Sequence, residues 1–417
     1  MKRLNIKIYG IVQGVGFRPF VSRLADACQI RGTVCNKGPY VEVFAEGDHE
    51  SLKRFVEGIP KKAPERAAIL KVDVHEVTDD APPYADFAII ESAKERGDIF
   101  VSPDIATCDK CRAELFDPKD RRYLHPFINC TACGPRLTIL ESMPYDRERT
   151  SMKAFPMCTA CHEEYVSPES RRYDAQPVCC NDCGPQVYLL GHEDVRDADA
   201  IRAVRRVLAS GGIAAIKGIG GFHLACDATD EAAVHRLRTL KHRPQKPFAV
   251  MMRDEETARR ACYLEPGEAE MMTGHQKPIL LLRRREDSPL APSVAPGNPK
   301  VGVMLPYAPV QMLIFDYPED HETPEVPAIL VMTSGNPSGA PICHSDEEAE
   351  ETLAPLCDVI LSHDRRIRLR ADDSVMDWFA GRPYMVRRSR GFAPLPFMLS
   401  APLKGQVLGI GGELKNT

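Results

Sequence analysis

The chain has 417 residues, of which 27% are charged and 43% hydrophobic, and its net charge is −5. That length exceeds what one hydrophobic core serves, so about two to four domains are expected, and the near-balanced charge excludes a global field drawing the molecule to nucleic acid or anionic lipid. No apolar run approaches the roughly 20 residues of a membrane span, and Met1 to Arg3 lead into an alternating strand pattern and not a signal core, so a cytoplasmic protein without a membrane partner is expected.

In chain order, Leu4, Ile6 and Ile8 share one face of a half-buried strand. The strand runs into a glycine loop ending at Arg18, after which Phe20, Val21, Leu24 and Cys28 repeat at helical spacing. A helix N-terminus presents unpaired N–H groups and a positive dipole end, and Arg18 adds a cation, so the loop predicts a phosphate cradle. An ordinary strand-to-helix turn has the same glycines. Strands near 32–36 and 40–46, a helix near 48–58 and strands near 68–77 and 84–91 complete a β-α-β-β-α-β, ferredoxin-like order.

The local sequence is more specific than the turn. Val12-Gln13-Gly14-Val15-Gly16-Phe17-Arg18, with Gly32-Thr33-Val34-Cys35-Asn36 and Val41-Glu42-Val43, resembles the acylphosphatase family over residues 1–91. The resemblance implies that Arg18 and the backbone of Gln13, Gly14, Val15, Gly16 and Phe17 bind an acyl phosphate while Asn36 orients the attacking water. Such a hydrolysis has a good leaving group and asks the protein chiefly for positioning and charge stabilisation.

A polar, irregular stretch over 94–104 marks a boundary. Beyond it, eight of the 15 cysteines form four Cys-x-x-Cys pairs between Cys108 and Cys183. A shift of fifty positions lays Cys108, Cys111, Cys130 and Cys133 on Cys158, Cys161, Cys180 and Cys183, with Arg121-Arg122-Tyr123 on Arg171-Arg172-Tyr173 and Gly134-Pro135 on Gly184-Pro185. One unit was duplicated. Two such pairs supply four thiolates to one ion, the closed set of structural zinc, so two structural zinc ions are expected. Cys179 adjoins Cys180, but the offset selects Cys180 as ligand. The paired arginines make too short a basic patch, without interleaved aromatics, to predict a nucleic-acid surface.

After residue 190, Ile201, Val204, Val207 and Leu208 mark one face of a helix ended by Gly211-Gly212. Strands are expected over 213–217, 248–252, 279–282, 328–332 and 359–361 with helical stretches between them, an α/β domain. Polar punctuation sits at the edges of these runs: Lys217 to His223, Lys241 to Lys246, and Thr333 to Asn336. Strand ends are where α/β proteins gather ligand groups, and cations, hydroxyls and open glycine backbone suit a nucleoside triphosphate. Taken singly, the Lys241 to Lys246 cluster reads as a solvated face.

Together these stretches resemble the YrdC-like family over roughly residues 200–390, whose Lys-x-Arg and distant Ser-x-Asn are matched by Lys241, Arg243, Ser334 and Asn336. Arg368, Arg370, Asp372-Asp373-Ser374 and Arg387 to Gly391 resemble further stretches of that domain. The resemblance implies ATP binding by Lys217, His223, Lys241, Arg243, Lys246, Ser334, Asn336, Arg370, Asp373 and Arg388, with magnesium bridging the phosphates. Asp372 and Asp373 read equally as metal carboxylates or as ion-pair partners of neighbouring arginines.

The whole is an α+β and α/β multidomain protein: an acylphosphatase-like domain at 1–91, a duplicated four-cysteine zinc-finger module at 104–190, a YrdC-like domain at 198–396, and at 405–417 a strand and glycine turn opening a further domain. That order resembles the HypF family of hydrogenase-maturation carbamoyltransferases. The resemblance implies cleavage of carbamoyl phosphate at the first site, activation of the carbamate by ATP as carbamoyl adenylate at the second, and delivery to a C-terminal cysteine of the partner HypE. The family carries a C-terminal domain for the last transfer, of which only the opening residues are expected here. The alternative is an RNA-binding protein of the tRNA-threonylcarbamoyl type, since zinc ribbons and YrdC-like proteins both occur there.

Overall fold

A computed structural model describes residues 2–64, 67–78, 82–92, 101–395 and 405. Its contacts divide the chain into two units, Met1–Pro103 with Asn129–Gly184, and Asp104–Ile128 with Pro185–Thr417. The turn expected over 407–417 and residues 94–100 of the polar boundary lie outside the described residues.

The first unit opens with β1 (Lys2–Ile11), α1 (Phe17–Ala27), β2 (Arg31–Asn36), β3 (Tyr40–Gly47), α2 (His49–Lys61), β4 (Ala68–Val77) and β5 (Phe87–Ile89). The sheet order is β4-β1-β3-β2-β5, antiparallel except for β2 with β5. The period-2 pattern of β1 has its expected outcome, because Ile6 and Ile8 are fully buried. They pack in a core with Val21 and Leu24 of α1 and Leu52, Phe55 and Ile59 of α2. Asp48 caps α2 by accepting the Ser51 N–H at 2.9 Å. Strand β1 shifts register between Tyr9 and Gly10. At φ +130° a Cβ on Gly10 would fall 2.0 Å from the Ala68 carbonyl oxygen, so this bulge requires glycine. Register sets the working end of the sheet: Asn36 lies opposite Val41, which lies opposite Ile8, three residues before the end of β1. Residues 129–184 add short 3-10 turns and one helix, Thr159–Val166.

The second unit is built on an eleven-stranded sheet. Its strands are β6 (Val187–Leu189), β7 (His192–Arg196), β8 (Ala214–Lys217), β9 (Phe222–Asp227), β10 (Ala249–Met252), β11 (Ile279–Arg283), β12 (Lys300–Met304), β13 (Ile329–Ser334), β14 (Val359–His363), β15 (Val375–Phe379) and β16 (Arg382–Arg387). They run in the order β16-β15-β11-β12-β10-β13-β9-β8-β14-β6-β7. The five expected strands are β8, β10, β11, β13 and β14. Strand β9 carries no alternation because it is flanked by β8 and β13 and buried from Phe222 to Cys226. Helix Asp197–Ala209 buries Ile201, Val204 and Leu208, and Glu231–Leu240 buries Val234 and Leu237. Residues 104–128 join this unit through Ala106 and Thr107, whose N–H groups donate to the carbonyls of His275 and Tyr307 at 3.0 and 2.9 Å. Among the described residues, no helix is long and apolar enough to cross a membrane.

Candidate functional site

In the first unit the loop between β1 and α1 winds through Gly14 and Gly16 at φ +70° and +74°, a left-handed path that glycine takes without strain. Gly16 is the N-cap of α1. The buried Gln13 ties the loop to the β2–β3 turn, its Nε2 donating to the Gly38 carbonyl at 2.7 Å. Arg136 ties it from the other side by donating Nε–H to the Gly14 carbonyl at 2.6 Å.

Arg18, in the first turn of α1, is only 7% exposed. Its Nη1 donates to Asp146 Oδ1 at 2.8 Å and to Ser92 Oγ at 3.1 Å, its Nε faces Asp174 Oδ2 at 2.9 Å, and Nη2 reaches the Tyr145 carbonyl at 3.3 Å. Three of the five guanidinium hydrogens are thereby hydrogen-bonded, and Nε adds an ion pair. Burial opposes the charge, but Asp174 and Asp146 outweigh it and hold the pKa of Arg18 above its ordinary value. Burial raises Asp174 against the pull of Arg18. The cavity bordered by the loop, Thr131, Arg136, Tyr145 and Asp174 measures ≈ 20 Å³, room for about one water. Asn36, 1% exposed, has no hydrogen-bond partner for Nδ2 or Oδ1 among the described residues. Such a buried amide costs roughly 1–3 kcal/mol until something binds it.

The eight cysteines form two groups, Cys108, Cys111, Cys130 and Cys133, and Cys158, Cys161, Cys180 and Cys183, with the sulfurs of each group within 4.8 Å of one another. The Cys130–Cys133, Cys158–Cys180 and Cys180–Cys183 sulfurs are 3.8 Å apart. A tetrahedron with zinc–sulfur bonds of about 2.3 Å has edges of about 3.8 Å. Both groups therefore fit zinc, and the second uses Cys180 and not Cys179, as the fifty-residue offset requires.

The second unit carries a cleft of ≈ 530 Å³ lined by His223, Lys241, Arg243, Lys246, Ser334, Asn336 and Asp373. Seven of the ten residues expected around a nucleotide thus converge from stretches 150 positions apart. Lys241, 3% exposed, donates Nζ–H to the Ser334 carbonyl at 2.6 Å and to Asn336 Oδ1 at 3.0 Å. Ser334 Oγ donates to the same Oδ1 at 2.8 Å. Arg243 bonds Thr333 Oγ1 at 3.2 Å and lies 5.0 Å from the Phe248 ring. Burial, then Arg238 and Arg387, push its pKa down to about 10.

Asp373 accepts from Arg390 Nε at 2.7 Å and meets His223 Nε2 at 2.9 Å. Burial works against its charge, yet Arg390 and His223 hold it well below the usual carboxylate range. It is an ion-pair partner here, while Asp372 also lines the cleft. Lys217, Arg370 and Arg388 do not line it. Lys217 pairs with Asp346 at 2.8 Å, Arg370 with Glu348 at 2.8 Å, and Arg388 donates to the Phe392 carbonyl at 3.0 Å. The cation that closes this side is Arg387, at the end of β16, which donates Nη2–H to the Asp373 carbonyl at 2.7 Å. Its position in the same arginine run was the available signal, but the facing of adjacent residues depends on where β16 ends.

Three family models match the chain: acylphosphatase over 4–89, HypF finger over 107–140 and 157–190, and one described as telomere recombination, of the Sua5, YciO and YrdC group, over 206–389. Over its entire length the chain is 44% identical to carbamoyltransferase HypF of Synechocystis sp. and 45% identical to carbamoyltransferase HypF2 of Cupriavidus necator. The chain belongs to the HypF family. This HypF-family chain spans about half the length of the curated relatives it matches, 54% and 53% for those two. A full-length HypF solved in its phosphate- and nucleotide-bound form matches it with a TM-score of 0.92 at 44% identity, covering 99% of this chain and 53% of that one. HypF of T. kodakarensis matches with a TM-score of 0.85 at 44% identity, over 94% of this chain and 50% of that one.

Proposed function

We propose that the chain performs the first two steps of a hydrogenase-maturation carbamoyltransferase, cleaving carbamoyl phosphate at the Arg18 loop and activating the carbamate with ATP in the cationic cleft. The observation that carries this reading is the presence, in one HypF-family chain, of a glycine loop with Arg18 at a helix N-terminus and of a cleft where Lys241, Arg243, Ser334 and Asn336 converge. The related HypF was solved with phosphate and nucleotide.

At the first site Arg18 and the backbone N–H groups of residues 13–17 hold the phosphate, and the unsatisfied amide of Asn36 orients the water. Water attacks phosphorus, the bond to the carbamoyl oxygen breaks, and carbamate and inorganic phosphate leave. In the cleft Lys241, Arg243, Lys246 and Arg387 neutralise the triphosphate beside the apolar Phe248, Ile279 and Leu281. A carbamate oxygen attacks the α-phosphorus and pyrophosphate leaves, forming carbamoyl adenylate. Asp372 would face a magnesium ion shielding the phosphates. The zinc groups have no open position for chemistry and hold the finger segments in place. The final acceptor in this reading is the C-terminal cysteine of HypE.

The deciding assay is exchange of labelled pyrophosphate into ATP. Exchange that requires carbamoyl phosphate is expected. Exchange driven by threonine with bicarbonate, or none with carbamoyl phosphate, overturns the reading. Metal analysis should return two zinc ions per chain.

A further inference from the structure

The cleft is rich in cations, and cations alone hold any small carboxylate beside ATP equally well. What distinguishes carbamate, a carboxylate bearing an amino group, from acetate is a pair of N–H donors, and recognising them takes a rigid acceptor. His223 is built as one. It is 4% exposed, lines the cleft, and sits on β9 directly opposite Ser334 of β13. Directly opposed residues put their side chains on the same face of a sheet, so His223 shares the face of Ser334, the residue whose carbonyl holds Lys241.

One edge of the ring is fully specified. Nε2 meets Asp373 Oδ2 at 2.9 Å, the other Asp373 oxygen accepts from Arg390 Nε at 2.7 Å, and the Arg390 guanidinium stacks 3.4 Å from the centre of the Tyr307 ring. All four residues are buried. A carboxylate at Asp373 can only accept, which assigns a proton to Nε2, and a ring carrying that one proton presents Nδ1 as an acceptor. Nδ1 has no hydrogen-bond partner among the described residues.

We propose that His223 selects the carbamate: Nδ1 accepts an N–H from its amino group and so aims the carboxylate at the α-phosphorus of ATP, with Asp373 and Arg390 as positioning residues that fix the tautomer. This deepens the carbamoyl-adenylate reading and rests on it. No proton is transferred in the step, and Nδ1 is an acceptor before and after the phosphorus–oxygen bond forms.

The test uses the 417-residue chain in carbamoyl-phosphate-dependent pyrophosphate–ATP exchange, with phosphate release followed in parallel. His223→Ala is expected to raise the carbamoyl phosphate KM for exchange roughly tenfold, the worth of one hydrogen bond to a fixed partner, with the ATP KM and the rate of phosphate release within about twofold of the parent. His223→Asn, whose side-chain oxygen can stand near the place of Nδ1, should recover part of the loss, a rescue a purely structural histidine would not show. Exchange in which the parent accepts acetate as well as carbamate overturns the proposal, as does a His223→Ala chain with unchanged KM or with the ATP KM raised equally. Absence of exchange in the parent sinks the underlying function instead. Retention of the parent's thermal midpoint by His223→Ala separates lost recognition from lost folding.

Discussion

The two cationic sites proposed to hold phosphate present their charges in different surroundings. In the cleft Lys241 donates to carbonyl and amide oxygens and Arg243 to a hydroxyl and carbonyls. In the loop of the first unit Arg18 is met by two carboxylates, and the space beside it is ≈ 20 Å³ against ≈ 530 Å³. In the proposed hydrolysis a dianion reaching Arg18 would compete with the charges of Asp146 and Asp174.

The largest effect expected is from Arg18→Ala, which should reduce carbamoyl phosphate hydrolysis by about a thousandfold, the scale of losing a charge-stabilising donor, and leave ATP binding unchanged. Phosphate release and nucleotide titration measured on the same sample check both halves, and a coupled loss would break the separation of the sites. Lys241→Ala should raise the ATP KM about thirtyfold by removing a buried charge-assisted contact, with phosphate release intact. The sites should also part with pH. Arg243 lies near 10, so its contribution to ATP affinity is complete well below that pH and is lost as pH rises through it, by about tenfold in nucleotide titrations between pH 8 and pH 11. Arg18, raised by its carboxylates, keeps its charge across the same window. Asp174→Asn is the smallest change, a threefold or so fall in the carbamoyl phosphate KM in steady-state assays as a neutral amide replaces one competitor. An unchanged or higher KM would mean that Asp174 positions Arg18 and does not oppose the substrate.

Signals that depend on neighbours in the chain were legible. The glycine loop with Arg18, the cysteine spacing and the clusters at Lys241 and Ser334 each declare their chemistry within a few residues, and five strands showed as apolar runs. Strands β9, β12, β15 and β16 did not, because β9 is wholly interior and the β15–β16 hairpin leaves Phe379 and Tyr384 exposed, so neither keeps an amphipathic period. Lys217, Arg370 and Arg388 had the right residue types but are turned to Asp346, Glu348 and the Phe392 carbonyl.

By itself, then, the sequence determined which groups are present: two sets of four thiolates with tetrahedral reach, a helix N-terminus with an arginine, and cations at the ends of strands. Tertiary structure alone decided how each charge is compensated. Asp146 and Asp174 are 128 and 156 residues from Arg18 in the chain, and Asp373 is 150 from His223. The partner of a buried charge is chosen by which strands and turns pack together, a long-range outcome that local spacing does not encode, and that choice makes one site a held arginine and the other an open cleft.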